Sequence, residues 1–304
     1  MIEIKKIHTY TGHKGAVYTI EQGATPNIFY SSGADGQIIE WDLNTLENGR
    51  LIAKIPTSVY ALKFIPVLNT LIIGQNFEGI HLLDVTKKSE LGSLNMTKSQ
   101  IFDIQMYGDS ILIGTGDGYL FEVGLNDLTV RRKAKLSENS LRTLAILTEA
   151  NQIVAGFSDS AFRVIDFKTF DIQTLIQGHD QSIFSGVFSP DNKYYISGSR
   201  DAHLKFWNTV DGYALDESIV AHMYAINDIA LHPQGKYFAT GSMDKTIKIW
   251  DLKKRKLLKV IDKARHGGHL TSINKLYWSE FNNLLISASD DRSLSVWEIG
   301  GLDE

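Results

Sequence analysis

Apolar and polar residues alternate in short stretches along the chain, and turns cut each stretch off. Val17 to Ile20, Tyr194 to Ser197 and Thr246 to Trp250 are rich in β-branched and aromatic residues, a composition that suits a half-buried pleated strand. Asp35-Gly36, Ser189-Pro190-Asp191-Asn192 and His232-Pro233-Gln234-Gly235 bound them; Gly, Asn and Asp tolerate the backbone angles of a reversal, and proline presets one of them. The pattern predicts an all-β chain built from many short strands. The five prolines lie outside these stretches, as they must, because proline cannot donate to a strand ladder.

The pattern is periodic. Four segments carry a His, a small hydroxyl residue 18 positions later, an Asp at 22 and a Trp at 28: His13/Ser31/Asp35/Trp41, His179/Ser197/Asp201/Trp207, His222/Thr240/Asp244/Trp250 and His269/Ser287/Asp291/Trp297. Three weaker segments fill the interval from Trp41 to Trp207, with Leu83, Val123 and Ile165 at the Trp position. Successive Trp positions are 42, 40, 42, 42, 43 and 47 residues apart, a fixed period that marks an array of like units. Seven units fill residues 1–304 as one expected domain, with cores at about 12–55, 56–97, 98–136, 137–177, 178–220, 221–262 and 268–299 plus 2–7.

Gly12-His13, Gly178-His179 and Gly268-His269 open units, and Trp41-Asp42 and Trp250-Asp251 close them. On these residues the chain resembles the WD-repeat (WD40) family over essentially its whole length. The resemblance implies a seven-bladed β-propeller, each blade four antiparallel strands, around a central channel. It also implies that the His, hydroxyl, Asp and Trp of a blade form a hydrogen-bonded tetrad, complete in blades one, five, six and seven. Blades two to four, without complete tetrads, are expected to rely more on apolar packing. The chain stops soon after Trp297, so Ile2 to Ile7 are expected to supply the outer strand of the last blade and close the ring.

Composition narrows the function. Apolar residues make up 43% of the 304 and charged residues 22%, enough for a sizeable core and too little polarity for disorder. The net charge of −4 lacks the global footprint of a nucleic-acid binder. There is no cysteine, hence no disulfide, thiolate metal site or cysteine nucleophile, which fits a reducing compartment. Charges at Glu3, Lys5 and Lys6 interrupt any apolar leader, and a cytoplasmic protein is expected.

Candidate chemistry is sparse. Hydroxyl, His and Asp together imitate a hydrolase triad, but four copies on one fold argue for structure. His266 and His269 resemble half a zinc site with no second pair of ligands. Gly114-Thr115-Gly116-Asp117-Gly118 imitates a phosphate loop, yet Tyr119 to Val123 reads as a strand, not a helix able to receive an anion. Asp290 and Asp291 are adjacent and so diverge. Arg131-Arg132-Lys133 with Lys135 suits a solvated edge strand. Glu40 and Glu122 precede the Trp position, where other units are apolar, and no partner for either is evident. The expectation is therefore no catalytic residue, no cofactor and no metal.

In propellers of the family this chain resembles, partners dock on the face that carries the b–c and d–a hairpins. The position five after the His carries over to Tyr18, Tyr60, Phe102, Arg142, Phe184, Asn227 and Asn274, and the position before the Asp adds Asn76, Ser158, Arg200, Met243 and Asp290. Aromatic residues and Arg dominate binding hot spots, so the resemblance implies a scaffold that binds a protein or peptide around the channel mouth, as a monomer within a larger complex. An RNA-binding propeller and an enzyme acting at the channel mouth are the alternatives, and no membrane partner is expected.

Overall fold

Short β-prone stretches between turn signals become strands throughout. The computed structural model describes residues 2–47 and 49–302, and their strands assemble into seven four-stranded antiparallel sheets. Sheets one to six run in sequence order over residues 17–54, 62–95, 101–135, 141–177, 183–220 and 226–261. Sheet seven joins Ile273–Trp278, Leu285–Ser289 and Ser293–Gly300 to Glu3–Thr11 from the start of the chain. The architecture is a seven-bladed β-propeller. Its closing strand is longer than the expected Ile2 to Ile7: Glu3 pairs with Gly300 and Thr11 with Ser293, with a bulge between Lys6 and His8.

The chain groups into two compact units, residues 1–70, 85–88 and 227–304 in one and 71–84 with 89–226 in the other. In both, the second strand of a sheet is buried on both faces, as in Leu71–Ile73, Ile111–Ile113 and Ile286–Ala288, whereas the edge strands alternate or face water, as in Val130–Lys135.

Glycine spaces successive sheets. Gly114, Gly156 and Gly198 of the second unit lie against Leu141, Ile183 and Ile226 of the following sheet, and Gly241 of the first unit lies against Ile273. A Cβ at any of them would sit 2.4–2.8 Å from that side chain, well inside van der Waals contact, so only glycine lets the sheets approach this closely.

Carboxylates tie successive sheets as well. Asp103 accepts the Leu144 N–H at 2.7 Å, Glu21 the Phe64 N–H at 3.0 Å, and Asp228 the Leu276 N–H at 2.8 Å. Burial raises the Asp228 carboxyl above its ordinary value, although Lys275 Nζ, 2.8 Å away, opposes this.

Sheets three and four add buried ion pairs to their apolar packing. Glu122, only 4% exposed, accepts from Ser110 Oγ at 2.7 Å and Arg132 Nε at 2.5 Å. The Arg132 guanidinium also donates to the Phe167 and Lys168 carbonyls of sheet four and stacks 4.3 Å from the Phe170 ring. In sheet four Asp159 occupies the repeat's Asp position and binds Ser137 Oγ at 2.7 Å and Arg163 Nη2 at 2.7 Å. A buried arginine thus binds the carboxylate directly, and Ser137 stands where the tetrads have their histidine.

Candidate functional site

The tetrads were the first candidates for chemistry, and their geometry shows what they can do. In sheet five His179 Nδ1 lies 2.9 Å from Asp201 Oδ2 and its Nε2 2.7 Å from Ser197 Oγ, while Trp207 Nε1 donates to the same oxygen at 2.9 Å. Sheets one and seven repeat this: His13 reaches Asp35 at 3.1 Å and Ser31 at 2.8 Å, with Trp41 to Ser31 at 2.7 Å; His269 reaches Asp291 at 2.9 Å and Ser287 at 2.8 Å, with Trp297 to Ser287 at 2.9 Å. In sheet six Trp250 donates to Thr240 Oγ1 at 2.9 Å, His222 is buried, and Asp244 accepts the Thr246 N–H and hydroxyl.

Because the indole can only donate, the hydroxyl accepts from it and gives its own proton to His Nε2, leaving Nδ1–H for the carboxylate. Burial would raise the Asp201 carboxyl, but His179, by hydrogen bond and charge, and the N–H groups of Asp180 and His203 overcome it and hold the carboxyl well below the usual range. Asp291 is held low in the same way by His269, Ser293 and the Leu270 N–H. Burial lowers His179 and His13, so their imidazoles stay neutral at neutral pH. Ser31, Ser197 and Ser287 are 0% exposed. No substrate carbonyl can reach such an oxygen, and the resemblance to a hydrolase triad ends there.

His269 is committed to its tetrad, and the His266 ring accepts the Asp262 N–H at 3.4 Å, so the pair does not converge on a metal. Among the described residues no group of three or more His, Asp or Glu could hold a metal ion. Gly118 has φ +80 in a turn that leads into the strand Tyr119–Gly124, which offers no helix N-terminus to a phosphate.

The position five after the His has a structural signature that the repeat alone does not reveal. The pairing of first and second strands slips between Val17 and Thr19, Ile101 and Asp103, Leu141 and Thr143, Ile183 and Ser185, and Ile273 and Lys275. The residues left over are Tyr18, Phe102, Arg142, Phe184 and Asn274. A bulge takes a side chain out of the alternating in–out order of the strand and re-aims it.

Each unit gathers some of these side chains. In the second, the Arg142 guanidinium lies 4.0 Å from the Phe102 ring centre and 5.6 Å from that of Phe184, and its Nε donates to Ser158 Oγ at 3.0 Å. In the first, the Tyr18 and Tyr60 ring centres are 4.9 Å apart. Burial, then Tyr60 and the Asp290 carboxylate, push the Tyr18 phenol above its ordinary value. Asn274 Nδ2 donates to Asp290 Oδ1 at 2.7 Å and to the Val17 carbonyl at 2.9 Å. Asn227 Nδ2 donates to Ser272 Oγ at 2.9 Å and the Ile273 carbonyl at 2.7 Å.

The five bulged residues, Tyr60 and Asn227 are all half-buried, whereas Arg200, Asp290 and Met243 are exposed. Asn76 is not a rim contact. It is 2% exposed, and its Oδ1 accepts the Ile101 N–H at 3.0 Å. Three exposed apolar residues on the same class of turn escaped the positional rule: Met223 and Tyr224 directly after His222, and Leu270 directly after His269, at 82%, 58% and 53% exposure. The signal that could have found them is an apolar residue where His179 is followed by Asp180 and His13 by Lys14.

Glu40 and Glu122 both have partners. Arg50 Nε donates to Glu40 Oε1 at 2.9 Å, as Arg132 does to Glu122, and in each case the arginine lies ten residues after the glutamate on the neighbouring strand. That shared offset was present in the sequence.

Seven four-stranded antiparallel sheets, with a buried His–Ser–Asp–Trp set recurring at one spacing, define a β-propeller of the WD type. The WD40 profile (WD domain, G-beta repeat) matches residues 4–42, 170–208, 216–251 and 259–298, together slightly more than half of the chain, and the chain belongs to that family. The unmatched interval 43–169 holds sheets two and three and the first three strands of sheet four.

Among curated relatives, subunit I of eukaryotic translation initiation factor 3 from Neosartorya fischeri is 27% identical over 203 residues, 66% of this chain and 53% of the relative. The WD repeat-containing protein SL1-17 of Schistosoma mansoni is 21% identical over 210 residues, 69% of this chain and 56% of the relative. The chain thus spans about half the length of the curated relatives it matches. A solved structure, the WD40 beta propeller domain of Doa1, superposes with a TM-score of 0.86 over 99% of this chain and 98% of that one, at 15% identity. Among the described residues no helix is long and apolar enough to cross a membrane.

Proposed function

We propose that this protein is a non-enzymatic interaction platform that binds a protein or peptide partner on the propeller face carrying the five first-strand bulges. The observation that carries the reading is the bulge itself, repeated in five sheets and placed at Tyr18, Phe102, Arg142, Phe184 and Asn274. A bulge interrupts the ladder and re-aims its side chain, and its recurrence at three aromatic residues and an Arg supports the reading. Arg142 stacked against Phe102 is held in place beforehand and loses little freedom on binding.

The name of the translation initiation factor relatives describes a subunit, and it supports a role within a larger assembly. The cysteine-free composition supports a cytoplasmic setting.

The experiment is capture of partners from a lysate of the source organism by the tagged wild-type chain and by two double variants, Tyr18→Ala with Tyr60→Ala and Phe102→Ala with Arg142→Ala. Partners found by mass spectrometry should be lost from one or both variants, with affinity reduced at least about tenfold as for hot-spot truncation. Circular dichroism melting should show both variants folded. Unchanged capture by both variants would overturn the reading.

A further inference from the structure

The chain carries a net charge of −4, yet between Asp251 and Gly268 it has seven Lys and Arg against two acids. All seven lie in or beside sheet six, within the first unit. Lys253, Lys254, Arg255 and Lys256 form the hairpin that leads into the edge strand Lys256–Ile261; Lys259 lies on that strand; Lys263 and Arg265 follow it in the one-turn helix Lys263–His266.

Both acids are already engaged. Asp251 accepts the Lys254 N–H at 2.7 Å, and Asp262 caps the helix and holds the Arg265 guanidinium at 2.6 Å. Lys253, Lys256 and Lys263 are exposed and have no ion-pair partner among the described residues. The basic run of sheet three differs, since Asp109, Glu122 and Glu138 pair with Arg131, Arg132 and Lys135.

Edge protection does not account for the cluster. A charge or two is enough to blunt an edge strand, as in Arg50–Lys54, whereas these cations continue past both ends of Lys256–Ile261, where there is no ladder to protect.

We propose that this rim of sheet six is a second docking surface, for an acidic, extended segment of a protein partner. The occupant follows from three features of the rim. Lys256–Ile261 ends its sheet, so its outer side presents a strand's alternating N–H and C=O groups, a ladder that a polypeptide matches in full and a phosphate, which only accepts, does not. No Phe, Tyr or Trp lies between Asp251 and Gly268, so the cations lack the stacking rings that accompany them in single-stranded nucleic-acid sites. A long polyanion would also run off the rim onto a surface of opposite charge preference, because the rest of the chain is acidic. An extended segment crosses the six-residue strand in roughly 20 Å, placing carboxylates against Lys253–Lys256 at one end and Lys263 and Arg265 at the other. Leu257, 44% exposed between them, adds an apolar contact.

The test uses the purified chain and a fluorescein-labelled peptide of alternating Glu and Thr, about twelve residues long so that it spans the rim, with its Gln–Thr counterpart as control. Fluorescence anisotropy should show binding of the acidic peptide and not of the neutral one. Lys253→Glu with Lys254→Glu and Lys256→Glu should weaken it at least about tenfold, and Lys14→Glu with Lys98→Glu and Lys133→Glu, an equal change of net charge elsewhere, by no more than about twofold. Circular dichroism melting of both variants establishes that they are folded. The proposal fails if the acidic peptide does not bind, if the two variants weaken it alike, or if single-stranded RNA of equal charge or phosphatidylserine vesicles bind this rim more tightly than the peptide. It stands apart from the bulged face, so either surface can fail without the other.

Discussion

Arg132 meets Glu122 at 2.5 Å across neighbouring strands of sheet three, and the carboxylate it meets is 4% exposed. The equivalent pair in sheet one, Arg50 and Glu40, is more open, with the arginine side chain 52% exposed. Removing one partner of a buried pair leaves an uncompensated charge, whereas an exposed pair is worth little. Arg132→Met should therefore cost about 3 kcal/mol in urea denaturation and Arg50→Met about 1 kcal/mol or less. Glu122→Leu added to Arg132→Met should recover part of the loss, and a double variant no more stable than Arg132→Met would contradict the assignment.

The Ser197 hydroxyl serves two buried partners at once, the Trp207 indole and the His179 imidazole. Ser197→Ala removes the partner of the indole N–H and of the imidazole Nε2, while Nδ1 keeps Asp201, and the loss should be about 2 kcal/mol. Ser137→Ala in sheet four removes the hydrogen bond to Asp159 and the one accepted from the exposed Asn139 N–H, at a half-buried site where water can replace them, so about 1 kcal/mol is expected. Equal losses in the two sheets would show that full burial of the tetrad adds nothing.

Asp201 and Asp291 have carboxyls held below the ordinary value of 3.8. A carboxyl whose folded pKa is depressed contributes stability above its unfolded pKa and loses it as pH falls toward the folded one. The stability difference between the wild type and Asp201→Asn should be nearly constant from about pH 7 to 5 and should shrink below about pH 4, as the unfolded carboxylate takes up its proton. Denaturation series at each pH measure it directly. A difference that grows on acidification would reverse the sign and refute the linkage.

Gly156 faces Ile183 and Thr143, where a Cβ would come within 2.8 Å of either side chain. Overpacking a filled interface forces neighbours off their rotamers. Gly156→Val should cost about 2–3 kcal/mol and Gly156→Ala less. A neutral Gly156→Val in thermal melts would mean that sheets four and five are not closely packed at this point.

The repeat was legible at once because buried polar side chains leave little choice of residue: a Trp N–H, a hydroxyl, a ring with two nitrogens and a carboxylate must recur at fixed offsets for the chain Trp207–Ser197–His179–Asp201 to close. Period, strand content, number of units and the supply of a final strand from the N-terminus all followed from it. Where the tetrad is missing the sequence is less informative, because arginine can reach its partner from several positions. Arg163 reaches Asp159 from within sheet four, and Arg132 joins two sheets through carbonyls that any residues could supply.

The candidate face divides along the same line. Local spacing by itself determined which residues stand five after each His, since that is a matter of counting along one strand. Only the tertiary structure decided that the same residues fall in bulges, that Arg142 stacks on Phe102, that Asn76 turns inward to cap Ile101, and that Lys253 to Arg265 line one rim of sheet six. Those outcomes depend on the pairing register and on groups brought in from the neighbouring sheet, and neither is written in the residue's own stretch of chain.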